Sequence, residues 1–113
     1  MCAKQIDLSE SLNYINGHLT DNLTVEGIAE ISGYSLHHFC RIFADSFGVT
    51  PGAYIKRERM KLACRDLLGG ESVTDVSKRY GYKTLSGFYK AFTSVYGVGP
   101  RQMVVDHERD LAS

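Results

Sequence analysis

The sequence predicts an all-α fold of about seven helices, and three observations predict it. Apolar residues recur three and four positions apart through most of the 113 residues, and no stretch of four or more alternates convincingly as a strand. Glycines and Ser, Thr or Pro caps cut that pattern into segments of helical length. The string "SGYSLHHFCRIFADSFGVTP", Ser32 to Pro51, then returns as "YGYKTLSGFYKAFTSVYGVGP", Tyr80 to Pro100.

Leu8, Leu12, Ile15 and Leu19 stand at helical spacing and predict a first helix over about 8–19. Thr24 is the expected N-cap of a short second helix through Ile31, with Val25, Ile28, Ala29 and Ile31 turned mostly inward. Gly33 interrupts, as a residue able to take a left-handed turn does. A third helix over about 35–47 places Phe39, Ile42, Phe43 and Phe47 on its buried side, and Gly48 ends it. Thr50 and Pro51, an N-cap and a proline at the first helical position, open the long fourth helix "PGAYIKRERMKLACRDLL", which Gly69-Gly70 stops. "SVTD" at 72–75 reads as a capping box for the fifth helix, with Asp75 in the place of the usual Glu or Gln. Gly81 makes the next turn. The sixth helix, about 84–96, buries Phe88, Ala91 and Phe92 before Gly97, and Pro100 begins a short terminal helix with a frayed tail over 106–113.

A chain of this length holds one compact domain or two very small lobes, and a lobe of about 50 residues is marginal alone. The two copies are therefore expected to lean on each other or on a shared element. With 43% hydrophobic residues, two prolines and no low-complexity tract, the chain should fold. No apolar run approaches the ~18 residues of a membrane helix, and "MCAKQIDLSESL" lacks a signal-peptide apolar region, so a cytoplasmic protein with no membrane partner is expected. Cys2, Cys40 and Cys64 are odd in number and widely spaced, with no CxxC, which reads as reduced structural thiols rather than a metal or redox site. No cofactor is expected. No serine, histidine and acid form a nucleophile motif and no glycine-rich phosphate loop occurs, so no enzyme is expected.

Formal charge is zero, but its distribution is uneven. Residues 1–34 hold Lys4 and five acids, and residues 106–113 hold Arg109 and three acids. Residues 35–105 carry eleven basic and five acidic side chains, a net of +6. A phosphate backbone feels that local field rather than the sum over the chain.

An offset of 48, rising to 49 after one inserted residue, pairs Val25 with Val73, Gly33 with Gly81 and Tyr34 with Tyr82. Beyond the insertion it pairs Leu36 with Leu85, Phe39 with Phe88, Phe43 with Phe92, Gly48 with Gly97, Val49 with Val98 and Pro51 with Pro100. The matched letters read as core, turns and caps. Each copy is then a helix, a glycine turn and a second helix, an arrangement whose second helix fits a DNA major groove. The letters that vary lie away from the phenylalanine stripe: His37, His38, Cys40, Arg41 and Ala44 in one copy, Leu85, Ser86, Gly87, Tyr89 and Lys90 in the other. Arg41 aligns with Lys90, so each outer face keeps one long cation suited to guanine O6/N7 or to phosphate. His37 and His38 are a poor metal pair, because neighbours on a helix point about 100° apart. Tyr34, Phe39, Phe43, Tyr82, Phe88 and Phe92 are assigned to core rather than to base stacking. Pro51 to Leu68, at 1.5 Å per residue, span about 27 Å, near the ~34 Å between successive major-groove faces. Lys56, Arg57, Arg59, Lys61 and Arg65 on that helix are candidates for phosphate contact, with Arg59 a candidate for packing.

"LTVEGIAEISGYSLHHFCRIFADSFGVTPGAYIKRERMKLACRDLL" followed by "SVTDVSKRYGYKTLSGFYKAFTSVYGVGPRQM" resembles the DNA-binding domain of AraC/XylS-type bacterial transcription regulators over about residues 8–105. The resemblance implies two helix-turn-helix subdomains, over 1–49 and 70–105, joined by a linker helix over 50–69. It implies binding to double-stranded promoter DNA at two non-identical boxes, and activation aided by RNA polymerase contacts. Carried over by position, the base-reading residues are His37, Cys40 and Arg41 in the first copy and Leu85, Ser86, Gly87, Tyr89 and Lys90 in the second. Ser35, Lys83, Thr84 and Arg101 are the phosphate contacts. Many relatives place larger polar side chains where Leu85 and Gly87 stand, which shifts the second reader towards phosphates and DNA shape. Most also carry an effector-sensing or dimerisation domain; this chain reads either as a short stand-alone regulator or as a fragment of a longer one, in which case the Met1 start leads to the expectation that the missing domain follows Ser113. The competing class is a helical protein-interaction module without DNA binding, which gains if the basic residues do not share the outward helix faces.

Overall fold

The computed structural model describes residues 7–112. Among them are seven α-helices and no strand: α1 Leu8–Gly17, α2 Val25–Ser32, α3 Leu36–Phe47, α4 Pro51–Leu68, α5 Val73–Arg79, α6 Leu85–Tyr96 and α7 Pro100–Ala112. Cys2 and Lys4 lie outside the described residues. The chain divides into two compact units, one through Lys56 and one from Arg57, a division that falls within α4.

In the first unit α2 packs on α1 and α3. Asp7 and Glu10 form a reciprocal capping box, Glu10 N donating to Asp7 Oδ1 at 2.8 Å and Asp7 N to Glu10 Oε1 at 3.1 Å. Ile15, Ile28, Phe39 and Phe43 are buried completely or nearly so. The Phe39, Phe43 and Phe47 rings descend α3 with centroids 5.7 and 4.7 Å apart. Gly33, at φ 81°, ends α2 in the left-handed region, and Tyr34 N then donates to Ala29 O at 3.0 Å.

The second unit repeats this plan. Gly81, at φ 86°, is followed by Tyr82 N donating to Ser77 O at 3.0 Å. Phe88, Phe92 and Tyr96 descend α6 with centroids 5.9 and 4.8 Å apart. Met60, Ala63 and Leu67 of α4 join Val76, Tyr80, Phe88 and Phe92 in its core. Matched spacings of buried rings are what fix the same face of α3 and of α6 inward, and burying four phenylalanines contributes on the order of 2 kcal/mol apiece.

Four expectations change. α1 stops at Gly17, although Leu19 is still buried beyond it. Ile31 is 39% exposed, because Ser32 takes the inward position and donates to Ile28 O at 2.8 Å. At α5 the Ser72 side chain accepts from Asp75 N at 3.1 Å, and it is at α1 that a reciprocal box forms; Asp75 is one methylene shorter than the Glu that closes such a box. The tail is helical through Ala112 rather than frayed after residue 105. Met103 and Val104 pack against the second core, and Gln102 Nε2 donates one turn along to Asp106 Oδ1 at 2.8 Å.

Candidate nucleic-acid interface

Two capped helices present the candidate residues. Ser35 is the N-cap of α3 and its hydroxyl accepts from His38 N at 3.2 Å. At the aligned place in the second unit Thr84 caps α6, accepting from Gly87 N at 3.0 Å. Both were expected at phosphate; both first serve their own helix, and each hydroxyl retains its proton to donate. Gly48 and Gly97 close the two helices, each N–H donating 2.8 Å to a carbonyl four residues back.

Between those caps the expected outward residues fall mostly in solvent. His37, His38 and Arg41 are exposed on α3, as are Leu85, Ser86 and Lys90 on α6. Cys40, Gly87 and Tyr89 are half-buried. His38 turns back on Tyr34 in an edge contact at 5.2 Å, so its ring is partly committed. Gly87 has no side chain to reach a base and its N–H is taken by the Thr84 cap, so it offers only a close backbone approach. The aligned leucines Leu36 and Leu85, counted with the scaffold from the repeat, are 42% and 41% exposed.

The cations divide into two groups. On α4, Lys61 Nζ lies 2.9 Å from Glu58 Oε2 and Arg57 Nε lies 3.8 Å from it. Arg65 pairs with Asp66 at 3.3 Å, and Arg59 is half-buried, where burial lowers its guanidinium from the ordinary value despite the opposing pull of Tyr82. Arg79 Nη1 donates to Asp66 Oδ2 at 2.7 Å and also pairs with Glu71. Each of these cations already has a partner or packing within its own unit. Arg41, Lys90, Lys83 and Arg101 are exposed, and no acid stands within ion-pair distance of any of them among the described residues. Exposed cations left without an acid keep their full attraction for an external polyanion, whereas a paired one must first give up its partner.

Sequence reasoning missed the anchor of the second unit. Tyr80 Oη donates to Asp66 Oδ2 at 2.7 Å, beside the Arg79 bond, tying α5 to the end of α4. In the first unit the residue aligned with Tyr80 is Ser32, whose hydroxyl pairs with Ser11 at 2.9 Å. Asp66 and Tyr80 are fourteen positions apart on different helices, a separation no periodicity rule links. Among the described residues no group of three or more His, Cys, Asp or Glu stands close enough to hold a metal ion, and no helix is long and apolar enough to cross a membrane.

Comparison with known proteins agrees with this geometry. The helix-turn-helix domain family matches residues 28–104. The chain is similar to the HTH-type transcriptional activator AarP of Providencia stuartii, with 34% identity over 94 residues that cover 82% of this chain and 70% of that protein. It spans between 31% and 38% of the length of three longer regulators that it also matches. In structure it resembles the C-terminal domain of AraT, a response regulator from Geobacillus stearothermophilus, at a TM-score of 0.82 and 27% identity, covering 88% of this chain and 84% of that one. It shares its fold with the DNA-binding domain of AdpA, solved in complex with a target DNA, at a TM-score of 0.81 and 24% identity, covering 91% and 94% of the two chains. Two capped helix-turn-helix units define a DNA-binding domain. The chain belongs to the AraC-type helix-turn-helix transcription regulators.

Proposed function

We propose that the protein is a sequence-specific, cytoplasmic activator of transcription that sets α3 and α6 into adjacent major-groove segments of a two-box promoter site. The observation that carries this is the pairing of Arg41 with Lys90: aligned positions on two identically capped helices, each exposed, each without an acid partner among the described residues. In this reading His37, Cys40 and Arg41 meet bases in one box, and Leu85, Ser86, Tyr89 and Lys90 in the other, with Gly87 allowing close approach. Ser35, Lys83, Thr84 and Arg101 hold phosphates, and such contacts set register without reading sequence. Activation is supported by the similarity to AarP, named as an activator, and would proceed through contact with RNA polymerase. An effector-sensing or dimerisation partner belongs to the same reading.

Selection of binding sites from random duplex DNA, followed by mobility shifts, tests it. Two unlike boxes should emerge, and affinity for them should fall steeply with salt. Recovery of no enriched sequence would overturn sequence-specific binding.

A further inference from the structure

Tyr89 and Gly99 stand where the first unit has Cys40 and Thr50, at the same offset of 49. The bulk has changed sides: a small residue on the reading helix and a branched one in the following turn become a large ring and no side chain. The two changes lie side by side. A Cβ placed on Gly99 would lie 3.7 Å from Tyr89 Cδ2 and 3.8 Å from Cε2, ordinary van der Waals contact, so a methyl would just fit beside the ring and a branch beyond it would have little room on that side. Gly99 also occupies an N-cap position, its carbonyl accepting from Met103 N at 3.0 Å. In the first unit Thr50 Oγ1 does the capping, accepting from Ala53 N at 3.3 Å. The second unit therefore forgoes a side-chain cap at this turn, and the tyrosine ring borders the space that a side chain would take. The Tyr89 ring is held on its inner side by the core of the second unit. Its open side lines a shallow concavity shared with Lys90, Thr93 and Ser94, on the face that carries the exposed cation.

We infer that Gly99 is a positioning residue for base recognition: by keeping a branched side chain off the ring it lets Tyr89 stay packed on the second core with its open side towards the outer face of α6, where it meets the 5-methyl group of a thymine. The inference rests on the DNA-reading role proposed above. A ring held on one side by the core loses little freedom on binding, and an apolar ring surface complements the thymine methyl in the major groove. Beside the cation that both units keep, the second unit then reads with a packed ring where the first has only the small Cys40. A threonine at 99 would keep the turn and add a capping hydroxyl, while its γ branch would press on the ring.

The test uses the full chain and the site it selects from random DNA. Each thymine in the second box is replaced in turn by deoxyuridine, which lacks only the methyl group. One replacement should weaken binding about tenfold. Tyr89→Phe should keep that sensitivity, Tyr89→Cys should lose it, and Gly99→Thr should lose it at the same base pair while leaving the melting temperature and the first-box preferences unchanged. The double variant Tyr89→Cys with Gly99→Thr transplants the first unit's pair, and it should bind with no preference at that base pair. The inference is overturned if no deoxyuridine replacement matters, if Gly99→Thr leaves the methyl sensitivity intact, or if it weakens all sites equally. If the wild-type chain selects no site, the DNA-reading role itself falls and this inference with it.

Discussion

Tyr80 donates its hydroxyl proton to Asp66 Oδ2 at 2.7 Å, joining the end of α5 to the last turn of α4. Arg79 reaches the same oxygen at the same distance and carries on to Glu71. Asp66 is thus a buried carboxylate whose neighbours all donate to it. Replacing it by alanine leaves the Tyr80 hydroxyl buried without an acceptor. Asp66→Ala should cost about 2–3 kcal/mol in urea denaturation, the scale of hydrogen bonds to a charged group. Tyr80→Phe, which removes one donor and orphans nothing, should cost less.

The same cluster sets a pH dependence. Burial alone would push the Asp66 carboxyl up, but hydrogen bonds from Tyr80, Arg79 and Arg65 outweigh it and hold the group below its ordinary value of 3.8. Burial, then the Asp66 carboxylate, push the Tyr80 phenol from 10.0 up to about 12. A depressed carboxyl contributes stability that is present above its unfolded value and lost as pH falls through the folded one. A raised phenol contributes stability that is present below 10.0 and lost as pH climbs from there towards about 12. The melting temperature should accordingly drop below about pH 4 and again above pH 10.0. Asp66→Asn should flatten the acid arm and shorten the alkaline one, a result read from melts across the pH range.

Gly81 sits at φ 86° with open space where a side chain would go. Any loss on substitution therefore comes from backbone conformation and not from a clash. Gly81→Ala should destabilise by about 1–2 kcal/mol, and Gly81→Asn by less, since asparagine tolerates the left-handed region. Chemical denaturation of the two variants checks the order.

Arg41 and Arg101 are both exposed and lack an acid partner among the described residues, yet they should fail differently. Arg41→Ala should cost about 1–3 kcal/mol on the preferred site and relax preference at one base pair. Arg101→Ala should weaken all sequences alike and reduce the slope of log affinity against log salt by about 1. Mobility shifts on matched and scrambled sites at several salt concentrations separate the two.

Local features carried most of the fold into the sequence. The N-caps Thr24 and Ser72 and the left-handed Gly33 and Gly48 are one-residue signals with one-residue consequences, so they could be read directly. The phenylalanine stripe, repeated every four positions in two copies, told which face of α3 and α6 turns in. What escaped depends on distant partners. Ser11 looks like a solvent residue until Ser32 is placed beside it, and Ile31 looks like core until Ser32 takes its place. The net charge of 35–105 gave the sign of the partner, but not which cations were already engaged, because Arg65 and Arg79 find Asp66 and Glu71 only in the folded unit. Tyr89 was legible as a position on α6, while its place beside the turn at Gly99 was not.

The joint beneath each turn gives the duplication a further meaning. Ser32 and Tyr80 hold the same place in the two copies, yet one closes on a serine hydroxyl and the other on a carboxylate shared with two arginines. Each copy has drifted to its own lock and key. Exchanging either residue alone would set a phenol against a serine or strip a carboxylate of one of its three donor residues, so the halves, alike in outline, have ceased to be spare parts for one another.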